Sequence, residues 1–261
     1  AAVASGLLMY SFLVRPKWIG FHLLVILAIV AMVNLGFWQL RRLDQRQAFN
    51  AEVEARYDAP PLPLDEALAS VDDLDHIEWQ PITASGTYIP DGQILIVNRS
   101  QNGRAGDNVV APMLLDDGRV LLVNRGFVPL AVDIPTAPTG EVEVLGRLRT
   151  SQQRRTGQLS DPAEGVLTAA QRVDIDRLAP QLPGEVVPMY IDLIRSTPAE
   201  AAGLPEQVTP PDLSEGSHLS YAVQWFLFSG AVAVGWVLAV RHSIGTRRHE
   251  AQRAEPAAVD A

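Results

Sequence analysis

The stretch of residues 19–40, IGFHLLVILAIVAMVNLGFWQL, contains no charged residue, and neither does a second stretch, LSYAVQWFLFSGAVAVGWVLAV, at residues 219–240. Each stretch is 22 residues long, and a helix of that length spans about 33 Å, enough to cross roughly 30 Å of hydrocarbon. The first is too long for a cleaved export signal and lacks a small-x-small cleavage site, so we expect it to be retained. The sequence therefore predicts two transmembrane helices.

The charges around the two stretches predict an orientation. Arginine and lysine near helix ends resist export; basic residues flank the first stretch on both sides, whereas Asp212 and Glu215 precede the second. The arginines that follow the second stretch are Arg241, Arg247, Arg248 and Arg253. We predict a cytoplasmic segment at 1–18, a single extracytoplasmic domain at 41–218 and a cytoplasmic tail at 241–261.

The composition narrows the partners and the source. The net charge is −9, which argues against nucleic acid because phosphates require a basic surface. The chain has no cysteine, so a disulfide framework and thiolate metal ligation are excluded. Lys17 is the only lysine and alanine is abundant, a bias typical of GC-rich bacterial genomes. We expect a multi-pass protein of a bacterial plasma membrane, with the lipid bilayer as one partner.

The segment between the stretches is predicted to be mainly antiparallel β structure with short helices. A charged helix is predicted at 44–57, ended by the prolines at 60–63, and a short helix at 65–71. Runs rich in Val, Ile and Leu predict strands at 83–88, 94–98, 109–115, 120–124, 142–149 and 189–194. Asp91-Gly92 and Asp117-Gly118 are typical of hairpin turns. The predicted fold is a membrane α+β protein whose two helices flank an antiparallel sheet or small barrel.

Three further segments have weaker patterns. LIVNR at 95–99 and LLVNR at 121–125 predict two paired strands of one sheet. Residues 151–188 are polar and predict an excursion between strands, with a short helix near 174–178. From Ser243 onward the chain shows no apolar periodicity, so we expect a disordered tail.

The sequence lacks the patterns that are typical of enzymes. It contains no Gly-rich phosphate loop, no histidine pair at metal-ligand spacing and no Gly-x-Ser-x-Gly motif. The acidic residues at 72–75 beside His76 are more typical of a solvated loop than of a metal site. We expect a protein that is not an enzyme.

One histidine stands where a ligand could bind. His218 precedes the second apolar stretch, and at 100° per residue it shares a face about 60° wide with Tyr221 and Trp225. That face could bind a flat ligand. It is more typical of an interfacial aromatic belt, with the histidine capping nearby backbone.

Four motifs, in order along nearly the whole chain, resemble the Surfeit locus 1 family of cytochrome oxidase assembly proteins. They are LGFWQLRRL at 35–43, GTY at 86–88, LVNRGFVP at 122–129, and HLSY at 218–221 with Trp225. The resemblance implies a factor that assists the building of the catalytic subunit of a haem-copper cytochrome c oxidase, whose subunits would be its membrane partners.

The resemblance also implies a cofactor site. Bacterial relatives of the family bind haem A, and the implicated histidine corresponds to His218, which would ligate the haem iron. Tyr221 and Trp225 would then pack against the macrocycle. A neutral imidazole at a membrane boundary suits a poorly soluble haem, and nearby arginines could meet its propionates. The candidate arginines are Arg41, Arg42 and Arg125.

Two other classes remain open from the sequence: a stably bound accessory subunit of a respiratory oxidase or supercomplex, and an outward-facing sensor or scaffold. The second stretch also carries small-x-x-x-small spacings, Ala231 with Gly235 and Ser229 with Ala233, which allow close packing against the first helix or docking on an oxidase subunit. Polar residues within the stretches need partners inside a bundle; these are His22 and Asn34.

Overall fold

The computed structural model describes residues 10–200 and 203–254 and divides into two compact units. One unit is helical and comprises residues 1–49 and 213–261, and the other, Asn50–Asp212, contains the sheet. The tail beyond residue 254 and the start of the predicted segment 1–18 lie outside the described residues.

The helical unit is built from two long helices. Helix α1 comprises Pro16–Arg56, and the last helix of the chain, α4, comprises His218–Ala254. Their most apolar windows have mean hydropathies of 2.3 and 1.8, and only 11% and 0% of those windows is buried. A core helix of a soluble protein would be mostly buried, so both helices are long, apolar and exposed enough to cross a membrane.

The two helices pack along one stripe of each. Buried and half-buried positions recur every three or four residues, which is the spacing of a left-handed helix pair. On α1 these positions include His22, Val25, Ile29, Met32, Gly36, Gln39 and Leu43, and on α4 they include Trp225, Ser229, Val232, Trp236 and Ala239.

The closest approach occurs at Gly36. A Cβ atom built on Gly36 would lie 2.7 Å from the ring of Phe226, so only glycine lets this ring lie on the α1 backbone. By contrast, nothing lies within 4 Å of a Cβ built on Gly235. The prediction that Ala231 and Gly235 pack against α1 is therefore wrong, whereas Ser229 and Ala233, the other predicted pair, are half-buried.

The predicted disorder after Ser243 is also wrong as far as residue 254, because α4 continues to Ala254. The sequence there is rich in Ala, Arg, Gln and Glu, which have high intrinsic helix propensity. An already formed helix extends easily through such residues, since the costly nucleation step has been taken.

Within residues 57–200 and 203–212, the sheet unit has eight strands and two short α-helices. The strands are β1 Leu62–Pro63, β2 Pro81–Tyr88, β3 Ile94–Gln101, β4 Arg104–Leu115, β5 Val120–Pro129, β6 Glu141–Thr150, β7 Ala169–Ala170 and β8 Val186–Thr197. The helices are α2 Leu64–Ala69 and α3 Ile175–Leu178. All six predicted strands and both predicted short helices are confirmed, with ends shifted by a few residues.

Five strands close into a barrel. They are hydrogen-bonded in the order β2-β6-β8-β5-β4, and β4 pairs again with β2. All pairs in this ring are antiparallel except β5 with β8. Closure requires close approach at Gly86, where a Cβ would lie 2.3 Å from the carbonyl oxygen of Leu114. The small-barrel alternative is therefore confirmed.

Two pairing predictions are wrong. Asp91 does adopt positive φ, at 58°, but the strands on either side, β2 and β3, do not pair with each other. The hairpin turns instead at Asn102-Gly103, where φ is 52° and 74° and β3 meets β4. The two similar segments at 95–99 and 121–125 are not partners, because each pairs with β4 from an opposite side.

The excursion between β6 and β8 covers the outside of the barrel. One apolar cluster fills the barrel interior and the other lies under the excursion, where Leu167, Val173 and Leu178 pack against Ile96 and Leu122. Nearly all of β5 is buried because it has apolar cover on both faces. This explains its continuous run of apolar residues.

Candidate functional site

His218 opens helix α4 and faces helix α1. Its side chain is half-buried, and its Nδ1 lies 2.8 Å from Oε1 of Gln39. Two contacts hold the segment before α4 against α1: Arg46 Nε donates to the carbonyl oxygen of Ser214 at 2.8 Å, and Gln47 Nε2 donates to Glu215 at 3.0 Å. The position of the imidazole is thus fixed by its hydrogen bond to Gln39 and by the two contacts that hold the preceding segment against α1.

The Gln39 contact decides which imidazole nitrogen is available. With Gln39 Oε1 as the acceptor, Nδ1 carries the proton, so in a neutral imidazole Nε2 keeps its lone pair. No hydrogen-bond partner for Nε2 occurs within the part of the chain that the structure describes. Metal-binding histidines commonly donate their other nitrogen to such an acceptor, which fixes both tautomer and ring orientation.

His22, which lies in helix α1, has the opposite arrangement. Trp236 Nε1 donates to its Nδ1 at 2.9 Å, and the two rings lie edge to face with centroids 5.7 Å apart. A neutral imidazole that accepts at Nδ1 bears its proton on Nε2. His22 therefore serves as an interhelical hydrogen-bond acceptor, and the prediction that it needs a partner in the bundle is confirmed.

Asn34, the other polar residue predicted to need a partner, is hydrogen-bonded within its own helix. Its Nδ2 donates to the carbonyl oxygen of Val30, one turn back on the same helix, at 2.7 Å. The side-chain amide is exposed. Asn34 is therefore satisfied by its own helix, and the expectation of an interhelical partner is wrong.

The aromatic residues of the predicted face are divided between two environments. Tyr221 is half-exposed, whereas Trp225 is half-buried and packs edge to face against Phe228 with centroids 6.1 Å apart. On α1, next to Gln39, Trp38 and Phe37 are also about half-exposed. The end of the helix pair that holds His218 therefore presents exposed aromatic surface from both helices.

The three arginines considered for haem propionates have different surroundings. Arg41 and Arg42 are exposed two and three residues beyond Gln39. Arg125 has a fully buried side chain, which donates to Glu200, to Gln93 and to two backbone carbonyls. Its guanidinium is committed within the sheet unit, so the suggestion that Arg125 meets a propionate is wrong.

Gln39 is the residue that sequence reasoning missed. It lies within the motif at 35–43, but its role depends on which residue of the second helix faces it. Two antiparallel apolar stretches of equal length place the end of the first opposite the start of the second. This pattern could have predicted that Gln39 lies near His218. No group of three or more potential metal-ligating side chains occurs within residues 10–200 and 203–254.

Comparison of this sequence with a family model and with curated proteins points to the same family in each case. The sequence model described as the SURF1 family matches residues 26–230. An uncharacterized SURF1-like protein of Mycobacterium tuberculosis is 28% identical over 253 residues, which cover 94% of this chain and 92% of that protein. Surfeit locus protein 1 of Homo sapiens is 27% identical over 230 residues, covering 79% and 73%, and that of Xenopus tropicalis is 26% identical over 242 residues, covering 84% and 74%.

Proposed function

Because this chain belongs to the SURF1 family, whose members are known as cytochrome oxidase assembly factors, we propose that it assists the assembly of a haem-copper cytochrome c oxidase. In this proposal the protein is not an enzyme. It holds haem A beside the membrane while the catalytic subunit matures, and oxidase subunits are its partners.

The His218 to Gln39 contact carries this proposal. It fixes Nδ1 as the donor, which would leave Nε2 of a neutral imidazole free to bind iron. A haem bound here would supply an iron that accepts a nitrogen ligand. His218 would hold the iron, Tyr221 and Trp225 would offer aromatic surface, and Arg41 and Arg42 would offer charges for the propionates.

The membrane arrangement belongs to the same proposal. We place helices α1 and α4 across a bacterial plasma membrane, with the sheet unit outside and both termini in the cytoplasm. Arg247 lies over the ring of Phe12 at 4.2 Å, which supports termini at the same end of the helix pair. The arginines after residue 240 favour the cytoplasm for that end. A reporter fused to the C-terminus should report cytoplasmic exposure, and an external signal would contradict this orientation.

The haem proposal is tested by substitution of His218 in the full-length chain, purified in detergent after expression with haem A. We expect His218→Ala to lose the haem absorbance band. His242→Ala is the matched control, because His242 is an exposed histidine on the same helix, and it should keep the band. An unchanged spectrum in His218→Ala would eliminate the ligand role.

The proposal of an assembly factor is tested separately by purification of the tagged protein from membranes. A transient factor should recover oxidase subunits weakly and below unit stoichiometry. Recovery of intact oxidase at one-to-one stoichiometry through detergent washing would instead support a permanent accessory subunit.

A further inference from the structure

The sheet unit contains a small polar cavity that the family assignment does not involve. Its volume is about 130 Å³, and strands β3, β4, β5, β6 and β8 contribute to its wall together with the excursion between β6 and β8. The charged side chains of the wall are Arg99, Arg149 and Asp192, and the neutral ones include Asn124, Gln152 and Tyr190. These are groups that recognise a polar ligand.

Asn124 presents an unused acceptor to this cavity. The residue is only 4% exposed. Its Nδ2 donates to Asp192 Oδ1 at 2.7 Å, but its Oδ1 has no hydrogen-bond partner among the described residues. A buried oxygen without a donor is costly, so a ligand that brings an N–H or O–H group would be stabilised here.

Arg99 presents an unused positive charge. It is half-buried, and its guanidinium donates to the carbonyl oxygen of Gln171 at 2.9 Å. No carboxylate lies within ion-pair distance of it in residues 10–200 and 203–254. Burial lowers the pKa of Arg99, yet a guanidinium stays protonated at neutral pH. Its charge is thus partly desolvated, and Asp107, the carboxylate that acts on it, lies beyond ion-pair distance.

Arg149, in contrast, is already neutralised. It donates to Glu78 at 3.0 Å and to Asp192 at 2.8 Å. Of the two arginines in the wall, only Arg99 therefore has a charge to offer.

Tyr190 adds a donor. Its hydroxyl oxygen accepts from Gln152 Nε2 at 2.8 Å, which leaves the O–H hydrogen free to donate. Burial raises the pKa of Tyr190, and nearby Asp192 raises it further, so the phenol keeps its proton. A ligand would therefore meet a guanidinium and a phenol as donors, and one amide oxygen as an acceptor.

We propose that this cavity binds a small tetrahedral oxyanion that retains a hydroxyl proton, with the chemistry of a hydrogen phosphate group. Its anionic oxygens accept from Arg99 and Tyr190, and its P–O–H group donates to Asn124 Oδ1. An anion without a proton would satisfy the two donors but would place an oxygen against the Asn124 oxygen.

Phosphate and sulfate test this arrangement because they share shape and size, while only phosphate carries a proton at neutral pH. Isothermal titration calorimetry on the full-length chain in detergent should show phosphate binding at least tenfold tighter than sulfate. Glycerol 3-phosphate, titrated in parallel, has lost most of the proton of its phosphate group at neutral pH, so it should bind more weakly than inorganic phosphate. Tighter binding of glycerol 3-phosphate would contradict the role of the P–O–H group.

Variants of Arg99 assign the binding to the cavity. Arg99→Gln should weaken phosphate binding at least tenfold, and Arg99→Lys, which keeps the charge, should retain most of it. Arg155→Gln is the control, because Arg155 is an exposed arginine of the same unit, and it should bind as the parent does. Absence of phosphate binding, equal affinity for sulfate, or undiminished binding by Arg99→Gln would overturn the proposal.

Discussion

Replacement of Glu200 by Gln tests whether the buried Arg125 stabilises the sheet unit. The Arg125 side chain is 0% exposed and that of Glu200 is 14% exposed. Arg125 Nε donates to Glu200 Oε1 at 2.9 Å, and a second nitrogen donates to the other carboxylate oxygen. Glu200→Gln keeps the shape of the side chain but removes its charge, so a buried guanidinium is left without a counter-ion.

The magnitude follows from how much of the network survives. Loss of one partner of a fully buried ion pair costs about 3–5 kcal/mol. Arg125 keeps Gln93 and the carbonyl oxygens of Pro135 and Thr136 as acceptors, and Glu200 is partly exposed. We therefore expect Glu200→Gln to lower the free energy of unfolding by about 2–3 kcal/mol.

Amide hydrogen exchange measures this loss in the full-length chain, in detergent and without interference from the apolar helices. Strand β5 is buried along nearly its whole length, so its amides exchange only when the unit opens. A loss of about 2–3 kcal/mol should accelerate their exchange about 30- to 140-fold.

Glu206→Gln provides the control for this prediction. Glu206 pairs with Arg104, whose side chain is 47% exposed, and an exposed pair contributes little because water and salt screen it. We expect the exchange of β5 to remain close to that of the parent. If the β5 amides exchange at the same rate in Glu200→Gln as in Glu206→Gln, the buried pair does not stabilise the unit and the reasoning fails.

Three further predictions concern the helical unit. Gln39→Leu should weaken haem binding about 10- to 100-fold, as expected for loss of the group that orients a metal-bound histidine. Gln39→Glu keeps an acceptor oxygen and should bind haem nearly as the parent does. Equal haem affinity of the parent and both variants in titrations would contradict the orienting role of Gln39. Gly36→Val should lower the stability of the helix pair by about 1–3 kcal/mol through overpacking, whereas Gly235→Val should not, and thermal unfolding followed by circular dichroism distinguishes them. Trp236→Phe removes one interhelical hydrogen bond and should cost about 0.6–2 kcal/mol in the same assay; a gain in stability would be inconsistent with the contact.

The secondary structure of the sheet unit was predictable because it is encoded locally. Each of the six predicted strands is a short run of β-branched and aliphatic residues between turn residues. The pairing of strands is not local. At Asp91-Gly92 the turn residues correctly predict positive φ, but whether the flanking strands become neighbours depends on barrel closure at Gly86.

The parallel contacts were beyond sequence reasoning for the same reason. Strand β7 has only two residues and pairs in parallel with β3, while β5 pairs in parallel with β8, which lies far along the chain. Neither contact can be predicted from a turn, because a short turn joins only antiparallel strands. The continuous apolar run of β5 was the available signal, because a strand with one solvated face alternates between apolar and polar residues.

The candidate site was predictable in position but not in chemistry. The sequence placed His218 at the start of an apolar helix, and its helical face followed from 100° per residue. Which nitrogen of the ring is free depends on a hydrogen bond to Gln39, which lies 179 positions away in sequence. No periodicity within one helix contains that information, because it depends on the register between two helices.

The same register explains why His218 and His22 differ. Near one end of the pair, His218 is placed against an amide oxygen and keeps Nε2 free. Near the other end, His22 is placed against the indole N–H of Trp236, which occupies its Nδ1 lone pair. Gly36 lies between these contacts and brings the helices together. A shift of one residue in register would separate both hydrogen-bonded pairs at once, so the packing at Gly36 and the ligand chemistry proposed for His218 depend on a single alignment of the two helices.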